Sequence, residues 1–293
     1  MTRRGFIKGL LATFLAGLFV AAYGFLIEPA LRLRVRRWSI RRDDWPSDKP
    51  VRIAVLTDLH AGEPYVTRAR LRRIVARTNA LGADLIVVLG DLTSSHGFAT
   101  EPVLVKDTAA ILGKLSAPLG VFAVLGNHDW WDDPAAQMRG AGPVETGTAL
   151  EQNGIPVLEN DALELPNGLW LAGLGDQLAL RRSNGRLIGV DDLPGTMAKI
   201  PEDAPAILLA HEPDIFPKVP ERVALTLSGH THGGQVRCFG YSPVVPSKYG
   251  NRYAYGHVRE KGRDLVVSGG IGCSILPVRF GVTPEITVVE MSA

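Results

Sequence analysis

Five stretches of this chain run an apolar, strand-like segment into a residue able to ligate a metal. They are Asp58-Leu59-His60, Gly90-Asp91, Gly126-Asn127-His128-Asp129, His211-Glu212-Pro213 and Gly229-His230-Thr231-His232. The run Leu85–Leu89 is apolar throughout, without the alternation of a half-solvated strand, as expected for a strand buried on both faces of an α/β domain. Open α/β sheets place their sites at the ends of such strands. Each residue alone has a plainer role: Asp58 and Asp91 suit strand-end turns, and Asn127 after Gly126 suits a tight turn. The repetition of one format, taking in five of the seven histidines, points instead to a shared metal site.

Imidazole, carboxylate and amide donors without thiolate suit Mn²⁺, Zn²⁺, Fe or Ni²⁺. There are more donors than one tetrahedral ion needs. A carboxylate such as Asp91 can bridge two ions, and two ions about 3.5–4 Å apart form a clamp for displacement at phosphorus. The i, i+2 spacing of Asp58 with His60, and of His230 with His232, lets both members of a pair converge on one ion.

This ordered set resembles the calcineurin-like metallophosphoesterases over about residues 51–290. Gly229-His230-Thr231-His232-Gly233-Gly234-Gln235, with the tail Gly272-Cys273-Ser274 to Pro284-Glu285-Ile286-Thr287, is similar to a bacterial branch carrying a membrane or twin-arginine segment. Some members of that branch are similar to UDP-2,3-diacylglucosamine pyrophosphatases of lipid A synthesis. The resemblance implies a four-layer α/β/β/α sandwich of two mixed sheets flanked by helices. It also implies two divalent metal ions, one held by Asp58, His60 and His232 and one by Asn127, His211 and His230, with Asp91 bridging. His128 would be catalytic, as general acid or charge stabiliser, while a metal-bridging hydroxide attacks phosphorus in line. Asp129 either orients His128 or serves as a turn residue. Many family members have a second Asp three residues after the Gly-Asp aspartate, where this chain has Ser94.

The N-terminus carries a second constraint. Gly9 to Ile27 are 19 uncharged, mostly apolar residues, roughly 28 Å as a helix and long enough to span a bilayer core. Thr2-Arg3-Arg4-Gly5-Phe6-Ile7-Lys8 ahead of it resembles a twin-arginine export signal; an ordinary basic flank of a signal anchor reads the same way. Residues 1–49 hold ten Lys/Arg and four Asp/Glu, which leaves the remainder at −4 against a whole-chain charge of +2. A mildly acidic domain lacks the basic footprint of nucleic-acid binding. Arg32, Arg34, Arg36, Arg37, Arg41 and Arg42 favour a cytoplasmic domain by the positive-inside rule. Their alternation with Leu31, Leu33 and Val35 reads instead as a strand with its charges solvated, and with folded export that favours the outer face of the cytoplasmic membrane.

We therefore expect residues 1–28 to be a signal or membrane anchor, 29–50 a basic strand and linker, and 51–293 the metallophosphoesterase domain, monomeric and without nucleic acid. Strands are predicted at Val51–Leu56, Leu85–Leu89, 121–125, 207–210 and 223–227, with 265–267 and 286–289 completing a second sheet. Thr67 is expected to cap a helix burying Leu71, Ile74, Val75 and Thr78, and 103–115 is helix-like. Residues 131–155 and 176–206 read as irregular loops, candidate lids. Trp130 and Trp131 cover the core edge or meet the substrate, and Asp176 closes a strand-like run as a turn residue. Lys248 and Arg252 lie in a Pro- and Tyr-rich loop that is solvated or contacts a headgroup. His96 and His257 match no motif. Cys238 and Cys273 are too few for a disulfide framework and read as buried thiols. The function expected is hydrolysis of a phosphodiester or pyrophosphate in a lipid-linked or membrane-proximal substrate. Cytoplasmic UDP-2,3-diacylglucosamine hydrolysis and a non-catalytic scaffold are the alternatives; the scaffold is disfavoured because no ligand or catalytic His is missing.

Overall fold

The computed structural model describes residues 2–93 and 97–293; Ser94 and His96, singled out above, lie outside them. The apolar runs form two packed sheets. The first comprises β1 (Arg34–Arg41), β2 (Val51–Leu56), β3 (Leu85–Leu89), β4 (Val121–Val124) and β11 (Glu285–Ser292), in the order β1-β11-β2-β3-β4. The second comprises β5 (Asp161–Glu164), β6 (Trp170–Gly173), β7 (Ala206–Leu209), β8 (Val223–Ser228), β9 (Gly256–Glu260) and β10 (Arg263–Val267), in the order β9-β10-β8-β7-β6-β5. Both sheets are mixed. β2, β3 and β4 run parallel, as do β6, β7, β8 and β10.

Side-chain alternation builds the layers. Ile53, Val55, Leu85, Val87 and Leu89 meet Leu171, Ile207, Leu209, Leu225 and Leu227 between the sheets. Ala54, Leu56, Ile86 and Val88 face the other way, onto Leu71 and Ile74 of α2 (Arg68–Asn79), Ala109 and Leu112 of α3 (Val105–Leu112), and Leu150. Leu208 packs outward against Leu193 and Met197 of the helix Leu193–Ala198. The result is the expected α/β/β/α sandwich. Thr67 does cap α2, accepting from the Arg70 amide.

Four expectations change. β11 completes the first sheet, between β1 and β2, rather than the second. The irregular segments hold short helices at Pro134–Arg139, Glu145–Gln152 and Leu193–Ala198. The arginine strand begins at Arg34, and Arg34 is not simply solvated: it pairs with buried Glu285 at 3.0 Å. Leu31 instead ends α1, the helix Arg3–Leu31. Pro29 supplies no amide to bond the fourth carbonyl before it, and the preceding turn, Tyr23–Ile27, is π-helical. Neither cysteine is in a disulfide, and the expectation of buried thiols holds for Cys273 but not for Cys238, which lies exposed on a loop.

Candidate metal centre

The five motifs follow the C-terminal ends of β2, β3, β4, β7 and β8, which the parallel arrangement of each sheet gathers at one edge of the sandwich. Asp58, His60, Asp91, Asn127, His211 and His232 are buried, and His128 and His230 are half-buried. Local backbone is bent to achieve this. Asp58, His60, Asp91, His230 and His232 all have φ between 40 and 66°. Such left-handed residues cost roughly 1–2 kcal/mol each and persist where the surroundings over-determine them. Gly90, at φ 83°, lets the β3 and β4 ends touch: a Cβ there would stand 2.2 Å from the Gly126 amide nitrogen.

Two groups of donors result. Asp58, His60 and His232 bring ligand atoms within 4.8 Å of one another, and so do His211, Glu212 and His230. His60 Nε2 lies 3.2 Å from His232 Nε2, which is 3.4 Å from Asp58 Oδ1. Asn127 Oδ1 meets His230 Nδ1 at 2.9 Å. Asp91 stands between the groups: its Oδ2 is 3.5 Å from His60 Nε2 and 3.4 Å from His211 Nε2. Its Oδ1 accepts the His128 amide at 2.9 Å. The His128 ring lies 5.0 Å from that of His60 and 5.0 Å from Trp131.

Burial and close charges shift the proton affinities of these groups. Burial pushes Asp58 up to about 7, with Asp91 adding to the rise. Burial opposes ionisation of Asp91 too, but His211, His128 and His60 outweigh it and hold that carboxyl well below its usual range. His211 is correspondingly raised, against its own burial, by Asp91. Burial, then His60 and Arg279, hold His232 well below the ordinary imidazole value. His211 Nδ1 faces the Leu89 carbonyl at 2.5 Å, and its Nε2, turned into the site, has no hydrogen-bond partner among the described residues. A ring whose far nitrogen is fixed by a carbonyl presents the other for ligation, so the residues fit the expected ions.

Asp129 resolves toward the backbone: its carboxylate accepts from the amides of Asp91, Leu92 and Gly126 at 2.8, 3.1 and 2.9 Å. The tryptophans divide, with Trp130 fully buried in the core and Trp131 half-buried beside His128 under the Arg181 guanidinium, 3.8 Å away. Asp176 follows β6, accepts the Leu178 amide like a turn residue, and is also fully buried against Glu212. Burial and Glu212 raise it well above the usual carboxyl range. Arg252 pairs with Glu260 at 2.7 Å, and His257 meets buried Asp264 at 2.6 Å. Sequence reading missed Glu212 as a candidate ligand, although it sits beside His211. It also missed Arg279, which is fully buried with Nη2 3.2 Å from His232 Nδ1; nothing in its local sequence marks it.

A fold of two stacked sheets with this edge cluster is that of a metal-dependent phosphoester hydrolase. The chain belongs to the calcineurin-like phosphoesterases, whose family model matches residues 51–234. It is 30% identical to the metallophosphoesterase YkuE of Bacillus subtilis, over 100% of this chain and 98% of that one. A metallophosphoesterase of Aquifex aeolicus is 28% identical over 88% of this chain and 92% of its own. The transmembrane protein with metallophosphoesterase domain of Danio rerio is 29% identical over 81% of this chain and 52% of its own. Membership implies divalent metal ions at this centre.

Proposed function

We propose that this chain is a membrane-anchored, two-metal phosphohydrolase that cleaves a phosphodiester or pyrophosphate bond in a lipid-linked or membrane-proximal substrate. Asp58, His60 and His232 hold one ion, Asn127, His211 and His230 the other, and Asp91 both. The observation that carries this reading is the placement of Asp91 Oδ2 between His60 and His211. The ions, when bound, supply Lewis acidity and an activated water. His128, with its amide on Asp91 and its ring between His60 and Trp131, is poised to protonate the leaving oxygen. Arg181, stacked on Trp131, offers a cation to a second anionic group of the substrate.

The membrane component rests on α1, which is long and apolar enough to cross a bilayer; the Danio rerio relative is named as a transmembrane protein. Twin-arginine export would place the domain outside the cytoplasmic membrane. The exposed Arg36, Arg37 and Arg41 favour the narrower alternative, a cytoplasm-facing UDP-2,3-diacylglucosamine pyrophosphatase.

The test is hydrolysis of bis-p-nitrophenyl phosphate by the full chain in detergent, stripped of metal and reloaded with Mn²⁺, Zn²⁺, Fe²⁺ or Ni²⁺. Two ions per chain with restored turnover, both lost in Asp91→Ala, is the expected result. Two bound ions without turnover on this probe, lipid pyrophosphates or the UDP-lipid would make the chain a scaffold.

A further inference from the structure

Two exposed apolar loop tips stand beside the end of α1, and the hydrogen bonding fixes their depth relative to it. The Arg279 amide donates to Gly24 O at 2.9 Å, and the Phe280 ring lies 6.0 Å from that of Tyr23. Glu28, one turn further on, accepts from the Gly281 amide and the Thr283 hydroxyl. The helix therefore docks on segment 279–283 within its last apolar turns. The first tip hangs from this segment: Val236 bridges to Phe280, the Arg237 amide donates to Phe280 O, and Cys238 and Tyr241 exchange both backbone hydrogen bonds. Phe239 and Gly240 form the turn, at φ 49 and 81°. The second tip, Ile275–Leu276, lies two residues before the docking segment and is clamped by Gln235, which accepts the Ser274 amide and donates to Leu276 O.

Both tips are costly as water-facing features. Hairpin turns with two left-handed residues favour Asn, Asp and Gly, yet one here carries Phe239, whose relative exposure is 109%. Ile275 is β-branched, has φ 61° and is 79% exposed. A β-branched residue at positive φ is an outlier that asks for a reason, and neither side chain is buried among the described residues. Apolar groups on loops level with the last turns of a membrane-crossing helix match an interfacial insertion.

We propose that Phe239 and Ile275–Leu276 insert into the bilayer surface beside α1 and seat the catalytic domain on the lipid headgroups. The proposal rests on reading α1 as membrane-spanning. It has a functional consequence, because both loops are rooted at the metal centre. The first leaves His232 three residues before Gln235, and the second begins at Gly272, where a Cβ would stand 2.9 Å from His60 Cβ. Seating the tips would present the centre to phosphates at the membrane surface.

The native Cys238 thiol, exposed one residue from the first tip, accepts a nitroxide without altering either tip. The labelled full chain would be reconstituted in phosphatidylethanolamine–phosphatidylglycerol vesicles and compared with Cys238→Ser chains labelled at Phe14→Cys in α1 or at the exposed Met138→Cys. The expected result is a collision rate with an aqueous nickel complex roughly threefold or more lower at 238 than at 138, with oxygen collisions raised, as at the headgroup–acyl boundary. Phe239→Ser/Ile275→Ser should return the 238 label to water. A 238 label as wet as 138 while 14 lies in lipid overturns the inference and leaves the anchor standing. A wet label at 14 overturns the anchor and the inference together. A 238 label screened from oxygen and nickel alike would assign the tips to a protein contact and also overturn it.

Discussion

Asp91 does three things with two oxygens, and that sets the cost of changing it. Oδ2 faces His60 and His211, and Oδ1 fixes the His128 amide. Asp91→Ala should lower activity by far more than the roughly 10–100-fold that follows loss of an outer-sphere partner, and metal analysis should find fewer than two ions. His128→Ala removes no proposed ligand and keeps the backbone amide that Asp91 accepts. It should lower kcat by about 10²–10⁴, the range of a general acid, with both ions retained. Glu212 tests the residue that sequence reading passed over. Its Oε2 accepts the Gln177 amide at 3.1 Å, while Oε1 has no hydrogen-bond partner among the described residues. Glu212→Gln should weaken metal binding by about 10–100-fold, read by chelator competition; unchanged affinity would make Glu212 structural.

At the scale of elements, the loops after β3 and β4 are joined by Asp129. Asp129→Ala would leave three buried amides without their acceptor, at about 1–3 kcal/mol each. Thermal unfolding should therefore shift down by on the order of 10 °C, at about 2–4 °C per kcal/mol for a domain of this size. A shift near zero, with activity lost, would mean that Asp129 acts on His128 instead. The same elements show what the sequence carried. β3 and β7 were legible because burial on both faces leaves unbroken apolar runs, and β2 and β8 because only Arg52 and Thr226 interrupt theirs; the proposed ligands follow each run within a few residues. The sheet that takes up β11 was not legible, since its partners β1 and β2 lie more than 200 residues away and strand composition does not name a neighbour. Asp176 and Glu212 meet across 35 intervening residues, so Asp176 looked like a local turn residue and Glu212 drew no role until the sheet placed β6 beside β7. The short helices at 134–152 hid in Gly- and Pro-rich sequence because each buries only one or a few residues.

For the molecule as a whole, the segment between α1 and β2 is part of the fold. β1 pairs with β11 along its whole length, from Arg34–Glu285 to Arg41–Ser292, and Ile40 is buried between the sheets. Arg42, itself buried, reaches Asp264 on β10 at 2.8 Å. A chain beginning at residue 44 would uncover the β11 edge, expose apolar surface worth about 1.5–3 kcal/mol per buried side chain, and strand Asp264 with His257. Removing one partner of a buried pair costs about 3–5 kcal/mol. A chain beginning at residue 23 keeps Glu28, β1 and Arg42, so at pH 7 it should unfold at least roughly 10 °C higher than the shorter one. The pH dependence identifies the part due to the ion pair. Burial disfavours the Asp264 carboxylate, but hydrogen bonds from His257 and Arg42 outweigh it and hold its pKa below the ordinary value. A depressed carboxyl stabilises fully above the unfolded value of about 3.9 and loses that contribution as pH falls through the lower folded value. The gap between the two chains should therefore narrow as pH drops below about 4, while the share due to β1 pairing remains. A gap independent of pH would assign the whole difference to the strand, and no gap at all would make residues 29–43 a linker.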